Sequence, residues 1–399
     1  MGVLTATIKF KVSPEEPLLN LIEKYIQALR LSLNWIINHK ETRLSKAHRA
    51  LYRELREKYS FPARIAVDCY REAISIAKSW FKNPNRGRKP IIKAKRMWLT
   101  YRQSYTINLE KMVVKITSLG EIKLIGYPSN IEEYSDWSIR EARLIVRNNG
   151  VFLHVSVKKN TNEPTPSLNA IAVDINEREI VYGFPSKIAR DKTRVEDCIK
   201  IKKHINHLQE KYSFSKYKAW LRPKLLKRIK ALYKRIRNIT EDYAKKQAKK
   251  IIDYAIKNDK DTIILEDLNK LNNNSKRLKK PWRERLTYMT YRKLQFWIEW
   301  QAKKKGIAII KINPKGTSTT CPYCGQKMKQ IAHRKYMCSH CGFKEDRDVI
   351  AVFNLICKME VALTHPTAPP MKHVNPNKGG ELVRNNRRMR VNRGFHLPW

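Results

Sequence analysis

Two Cys-x2-Cys pairs, Cys321/Cys324 and Cys338/Cys341, stand thirteen residues apart, and no other feature restricts the local fold so tightly. Four thiolates at this spacing close a tetrahedron around Zn2+, a structural site of soft ligands that leaves the ion no open position for chemistry. Gly325 and Gly342 follow the pairs and allow the tight turns that aim two sulfurs at one ion. His333 and His340 are near in sequence, but four cysteines already fill the site. Cys69, Cys198 and Cys357 lie alone in apolar or mixed contexts, so no disulfide framework is expected and a reducing cytoplasm is the natural home.

Charge names the class of partner. The 399 residues carry 83 Lys and Arg against 36 Asp and Glu, a net charge of +47. Such a surplus fits a polyanion, above all nucleic acid, because neutralised phosphates release their counterions. The surplus runs along the whole length, with only seven basic residues beyond position 364, so a basic tail does not explain it. The opening MGVLTATIKFKV alternates like a strand and lacks a signal-peptide layout, and no apolar run approaches a membrane span, so no membrane partner is expected.

The periodicity divides the chain. A strand over 3–12 is followed by helical stretches from Leu18 to about His39, 41–58 and 63–82. A basic loop at 82–96, KNPNRGRKPIIKAKR, comes next. Short strands fill 98–158, with Asn148-Asn149-Gly150 as a hairpin turn. This reads as a β-barrel or sandwich interrupted by a helical unit. After the linker 159–168 come a strand at Asn169–Asn176 with its hairpin partner EIVYGF, helices over 195–257, a strand at Thr262–Leu268, an aromatic helix to Lys305 and a strand at Ile307–Ile312. The zinc segment and a short helix from Val349 close the folded part, and 364–399, with five prolines, reads as a loose basic tail.

Three carboxylates stand out. Asp348 precedes an apolar helix and would serve as its N-cap. Asp174 ends an apolar strand, and Glu266 lies within TIILEDL, where a buried charge needs a partner. Together, in so basic a chain, they make a hard oxygen site for Mg2+ or Mn2+, of the kind that hydrolyses phosphodiesters with two ions. Arg86, Arg88, Lys89, Lys93, Lys95 and Arg347 are candidates for meeting phosphates.

The order of these features resembles the TnpB family, transposon-encoded relatives of the type V CRISPR effectors and of the eukaryotic Fanzor proteins. The resemblance rests on Asp174 in VDIN, Glu266 in LEDL, then Pro314, Thr317, Ser318, Cys321, Cys324, Gly325, Cys338, Cys341, Gly342, Asp346, Arg347 and Asp348. The WIEW helix and the FKNPNRGRKPIIKAK loop are also like the family, and the likeness runs over about 1–363. It implies a multidomain α+β chain. A RuvC-like nuclease domain of RNase H fold would span 169–312 and 343–363, with the zinc ribbon 313–342 inserted. A β-barrel wedge domain would span 1–15 and 89–160, interrupted by a helical recognition lobe at 16–88. Asp174, Glu266 and Asp348 match the family's catalytic triad, and the family's partners are a guide RNA from the transposon end and double-stranded target DNA. Two positions depart from the family pattern: Ile350 stands where an Asn is usual, and Asn176 where a Gly is usual. The loss of an amide at 350 points to a second reading, a binding regulator without cleavage, and transposase chemistry is a third.

Overall fold

In the computed structural model, residues 2–92, 94–126, 128, 131–213, 223–268, 279–289 and 291–364 are described. Lys93 and the 365–399 part of the expected tail lie outside them. Two units divide at Thr161/Asn162, and each is described by itself.

The alternation that predicts a first strand gives β1 (Gly2–Val12), which buries Leu4, Ile8, Phe10 and Val12 and leaves the residues between exposed or, at Ala6, half-buried. It pairs along its length with β7 (Gly150–Thr161), which turns back from β6 (Ser138–Arg147) at the Asn148-Asn149-Gly150 hairpin. With β2 (Arg96–Leu99), β3 (Tyr105–Asn108), β4 (Val113–Ile116) and β5 (Gly120–Ile125) they form a seven-stranded sheet of order β2-β6-β7-β1-β5-β4-β3. Its end strands are consecutive in sequence and meet at a bridge between Tyr101 and Tyr105, so the sheet curls back on itself.

Three helices sit between β1 and β2 in the chain: α1 (Glu16–Asn38), α2 (Leu44–Tyr59) and α3 (Ala63–Lys82). The i, i+3/i+4 spacing of Leu18, Ile22, Tyr25, Leu29, Leu33 and Ile36 places all six in the core. Helix α3 also buries two acids one turn apart. Asp68 accepts from the Thr100 amide (3.1 Å), the Thr100 hydroxyl (2.8 Å) and the Ser104 hydroxyl (2.7 Å), and pairs with Arg64 (3.2 Å). Glu72 accepts from Tyr25 Oη (3.1 Å) and pairs with Arg96 of β2 (2.9 Å). These two side chains fasten the helical insert to both ends of β2, Glu72 at its first residue and Asp68 at the turn just after it.

The second unit is built on a five-stranded sheet of order β10-β9-β8-β11-β12. Its strands are β8 (Ala170–Ile175), β9 (Glu179–Phe184), β10 (Lys187–Lys192), β11 (Thr262–Glu266) and β12 (Ala308–Ile312). β8, β9 and β10 are antiparallel neighbours, whereas β11 runs parallel to both β8 and β12. β10 was not foreseen; its charged sequence KIARDK hides the pattern. The central strand β8 is buried throughout, as a strand covered on both faces must be.

The helices α4 (Val195–Ser213), α5 (Pro223–Lys257), α6 (Lys280–Met289) and α7 (Tyr291–Lys305) follow in order around β11. Ala248, Ile251, Ile252 and Ala255 of α5 and Leu294, Ile298 and Ala302 of α7 pack on one face of the sheet. Helix α8 (Arg347–Thr364) covers the other with Val349, Val352, Leu355, Ile356 and Met359. At 18 residues α8 is no short helix: the apolar spacing of its sheet face continues to Met359. Between β12 and α8 lie β13 (Lys329–Ala332), β14 (Lys335–Met337) and β15 (Lys344–Asp346), a small antiparallel sheet carrying the cysteines. Among the described residues no helix is long and apolar enough to cross a membrane.

Because Asp68 is 1% exposed and answers four donors, Asp68→Ala strands a guanidinium and two hydroxyls. It is expected to cost about 3 kcal/mol, read as a lower urea midpoint with faster amide exchange in α3 and β2. A cost under about 1 kcal/mol would show that the insert is held by its apolar contacts alone.

Candidate active site and metal centre

Parallel pairing of β8 with β11 sets Val173 opposite Leu265. One residue further along each strand come Asp174 and Glu266, so strand register places two carboxylates from distant parts of the chain beside each other. Asp174 is 5% exposed. Burial first, and the charge of Glu266 second, push its carboxyl up to about 7, against the Asn176 amide (2.6 Å) and the fields of Arg347 and Arg334. Burial likewise raises Glu266, opposed by the Thr317 hydroxyl at 3.4 Å, Lys358 and Arg347. Gln295 of α7 donates to the Glu266 carbonyl (2.7 Å) and holds the strand end from the helical side.

Asp348 comes from α8. It is not the N-cap of that helix, as its sequence position implied: Asp346 caps, its Oδ1 accepting from the Asp348 amide at 3.0 Å. Asp348 stands inside the first turn with its carboxylate 1% exposed. It contacts the Arg334 guanidinium and the Nε of Arg347 at 3.2 Å.

Arg334 carries no local mark in the sequence. It sits in the β13–β14 turn with a left-handed φ of 62°, pairs with Glu179 (3.1 Å), and its carbonyl accepts from the Arg347 amide (2.7 Å). Arg190 of β10 spans Glu179 (3.4 Å) and Asp346 (3.3 Å). Three arginines therefore line this end of the sheet, and Arg347 acts electrostatically on all three acids. Nothing but the tertiary fold distinguishes Arg334 and Arg190 from the other basic residues.

The cysteines converge. Among the described residues, Cys321, Cys324, Cys338 and Cys341 are the one group of three or more His, Cys, Asp or Glu whose ligand atoms all lie within 4.8 Å of one another; the three acids stand wider. Cys321 Sγ lies 3.5 Å from Cys341 Sγ, and Cys324 Sγ 3.4 Å from Cys338 Sγ. The backbone N–H groups of Cys341 and His340 draw Cys338 down to about 6. The Gln326 N–H pulls Cys324 the same way, but burial and the neighbouring sulfurs push it up to about 12. Four sulfurs crowded this closely suit a dication that takes all four as thiolates, and Zn2+ fits that donor set. Gly325 and Gly342 take the left-handed φ values, 74° and 76°, that the knuckle turns require.

The two departures have clear places. Asn176 puts its amide on Asp174 itself. Ile350 is fully buried and packs with Cys321, Cys338 and Met328, so position 350 serves the ribbon and not the acids. Of the phosphate candidates, Arg86 lies 4.9 Å from the Trp80 ring centre and donates to the Phe81 carbonyl (3.0 Å). Arg88 and Lys89 are exposed, and Lys95 is exposed but paired with Glu23 (2.6 Å). Arg347 lies at the acids.

Residues 291–355 match the Cas12f1-like TNB domain family. TnpB-like protein MJ0751 of Methanocaldococcus jannaschii is 32% identical over 232 residues, 58% of this chain and 82% of that protein. The CRISPR-associated endodeoxyribonuclease Cas12f1 of Sulfoacidibacillus thermotolerans is 32% identical over 136 residues, 34% of this chain and 31% of the relative. Among solved structures, a Cas12f1 in complex with sgRNA and target DNA has the same fold, with a TM-score of 0.56 at 15% identity over 89% of this chain and 99% of that one. With a relative so similar over most of its length, and with the order of acids and cysteines now placed in space, the chain belongs to the TnpB family.

Proposed function

We propose that this protein is an RNA-guided DNA endonuclease that hydrolyses phosphodiesters with Mg2+ or Mn2+ held by Asp174, Glu266 and Asp348. The observation that carries the reading is the pair Asp174 and Glu266, forced together by strand register and buried without full compensation, in a chain of net charge +47. Like charges so placed are costly unless a cation joins them, and a hard-oxygen donor set suits these ions. In this reading the five-stranded unit is a RuvC-like domain of RNase H fold, the curled sheet is the wedge domain, and α1–α3 form the recognition lobe. The TnpB-like relative, the named endodeoxyribonuclease and the fold shared with a guide-and-target complex support it. The guide RNA would derive from the transposon end.

Bound at the acids, two ions would activate water and stabilise the departing oxygen. The chain's own residues do the rest. Asn176 orients Asp174, and Gln295 fixes the strand end that bears Glu266. Arg334 and Arg347 neutralise Asp348 in the metal-free chain and offer guanidinium donors where a phosphodiester would lie. The zinc ribbon is structural, because its four sulfurs leave zinc no open position.

The test is cleavage of plasmid DNA by the chain purified with its own co-purifying RNA. Asp174→Ala, Glu266→Ala and Asp348→Ala should each lower cutting roughly thousandfold or more, with zinc content unchanged. Cutting by Asp174→Ala at the wild-type rate sinks the assignment. The raised carboxyl of Asp174 gives a second test. At pH 6 it holds a proton that a cation must displace, and above pH 7 it is ionised. Mn2+ affinity should therefore rise about fivefold from pH 6 to 7 and less than about twofold from 7 to 8. A profile flat across that window would contradict it.

A further inference from the structure

Helix α8 has a second face that the chemistry above does not use. Its sheet-facing residues leave Ile350, Asn354 and Lys358, at i, i+4 and i+8, in one row toward the ribbon. Ile350 packs among the cysteines. Asn354, 6% exposed, donates both hydrogens of its amide nitrogen, to the Thr317 and Thr320 carbonyls, each at 2.7 Å. Lys358 donates to the carbonyls of Asn313 (3.1 Å) and Lys315 (2.7 Å). The row thus holds the whole entry segment of the ribbon against α8.

That segment joins the two metal centres. At its far end the Cys321 amide bonds the Gln326 carbonyl (2.8 Å), and the Met328 amide bonds the Thr319 carbonyl (2.8 Å), so its shape follows the first knuckle. At its near end Thr317 is 1% exposed. The Thr317 hydroxyl has one hydrogen and two acceptors for it, the Pro314 carbonyl at 2.8 Å and Glu266 Oε1 at 3.4 Å, so it turns from the first to the second to hold the carboxylate. Among the described residues it is the one hydrogen-bond donor to the Glu266 carboxylate, on which Lys358 and Arg347 act through their charge. Gln295 already fixes the backbone there, so the orientation of the carboxylate is what remains for Thr317 to set.

We propose that Asn354 and Thr317 are positioning residues that couple the ribbon to the acid site: the knuckle shapes the entry turn, Asn354 seats it on α8, and Thr317 orients Glu266 to receive a divalent cation. Zinc bound by the ribbon thereby strengthens cation binding at the acids, and the coupling is reciprocal. The proposal rests on the endonuclease reading, which places the cation at Asp174 and Glu266.

The experiment uses the full chain with its RNA, a zinc assay, and Mn2+ binding by electron paramagnetic resonance above the Asp174→Ala background. Thr317→Val keeps the shape and removes the hydroxyl. It should retain zinc and bind Mn2+ about fivefold more weakly, the effect of one long hydrogen bond to a carboxylate. Thr317→Ser should restore the affinity, and Asn354→Ala should weaken it with zinc in place. Removing zinc from the wild type with a zinc-selective chelator should weaken Mn2+ binding at least as much. Wild-type affinity in Thr317→Val, or in the zinc-free wild type, overturns the coupling. Loss of zinc from Thr317→Val also counts against it, since the hydroxyl would then serve ribbon folding. If Asp174→Ala binds Mn2+ as the wild type does, the endonuclease reading fails instead.

Discussion

A carboxylate taken out of water must be met by a cation, by hydrogen-bond donors or by a proton, and each unit of this protein is arranged around how it meets that demand. In the first unit Asp68 receives a guanidinium and two hydroxyls, and Glu72, still raised by its burial, is met by Arg96 and Tyr25, and the outcome is a fastening between a helical insert and a strand. In the second unit Asp174 and Glu266 receive less than they need. The deficit appears as a carboxyl raised to about 7, so the metal-free native state loses stability as pH rises from the ordinary carboxyl range toward that value. Local strain of this sort persists only where the surrounding fold imposes it. Here the imposing element is the parallel pairing of β8 with β11, both buried in the middle of their sheet.

The sequence carried the elements better than their encounters. The alternation around β1 and the stripe along α1 are local consequences of which residues face a core, and both appear where the spacing places them. The cysteine site was legible because its ligands lie close in sequence and its turns need glycine. Asp174 and Glu266 could be singled out as acids within apolar strands, but their meeting depends on register between strands far apart in the chain. Arg334 and Arg190 carried no local mark, since each is one of 83 basic residues and gains its role from a turn or a charged edge strand. The N-cap of α8 was misplaced by two residues because Asp346 and Asp348 offer the same chemistry, and only backbone geometry chooses between them.

Ile350 shows how a departure from a motif can mislead when it is read along the sequence alone. Beside Asp348 in the chain, it looked like a lost metal-site amide. Helical geometry turns its side chain away from the acids, because residues two apart on a helix point to different sides. Its place among the ribbon sulfurs makes an apolar side chain suitable there. The amide that does touch an acid belongs to Asn176, just past the end of β8.

The position of the ribbon in the chain follows from the same geometry. A segment of about thirty residues cannot bury enough apolar surface to fold alone, so it needs both a metal and a neighbour. Placed between β12 and α8, it has α8 as that neighbour, and α8 is already fixed to the sheet by Val352, Leu355 and Met359. One helix then serves two small cores through faces a fraction of a turn apart. The insertion also brings Arg334 to Asp348 and Thr317 to Glu266, side chains that the sheet and its helices do not themselves supply. Any loosening of the ribbon would therefore reach the acids through two short routes, one through a guanidinium and one through a hydroxyl. In the proposed reading a closed zinc site beside an open acid site suits this arrangement, because a metal on the four sulfurs would hold in place the donors that a cation at the acids would need.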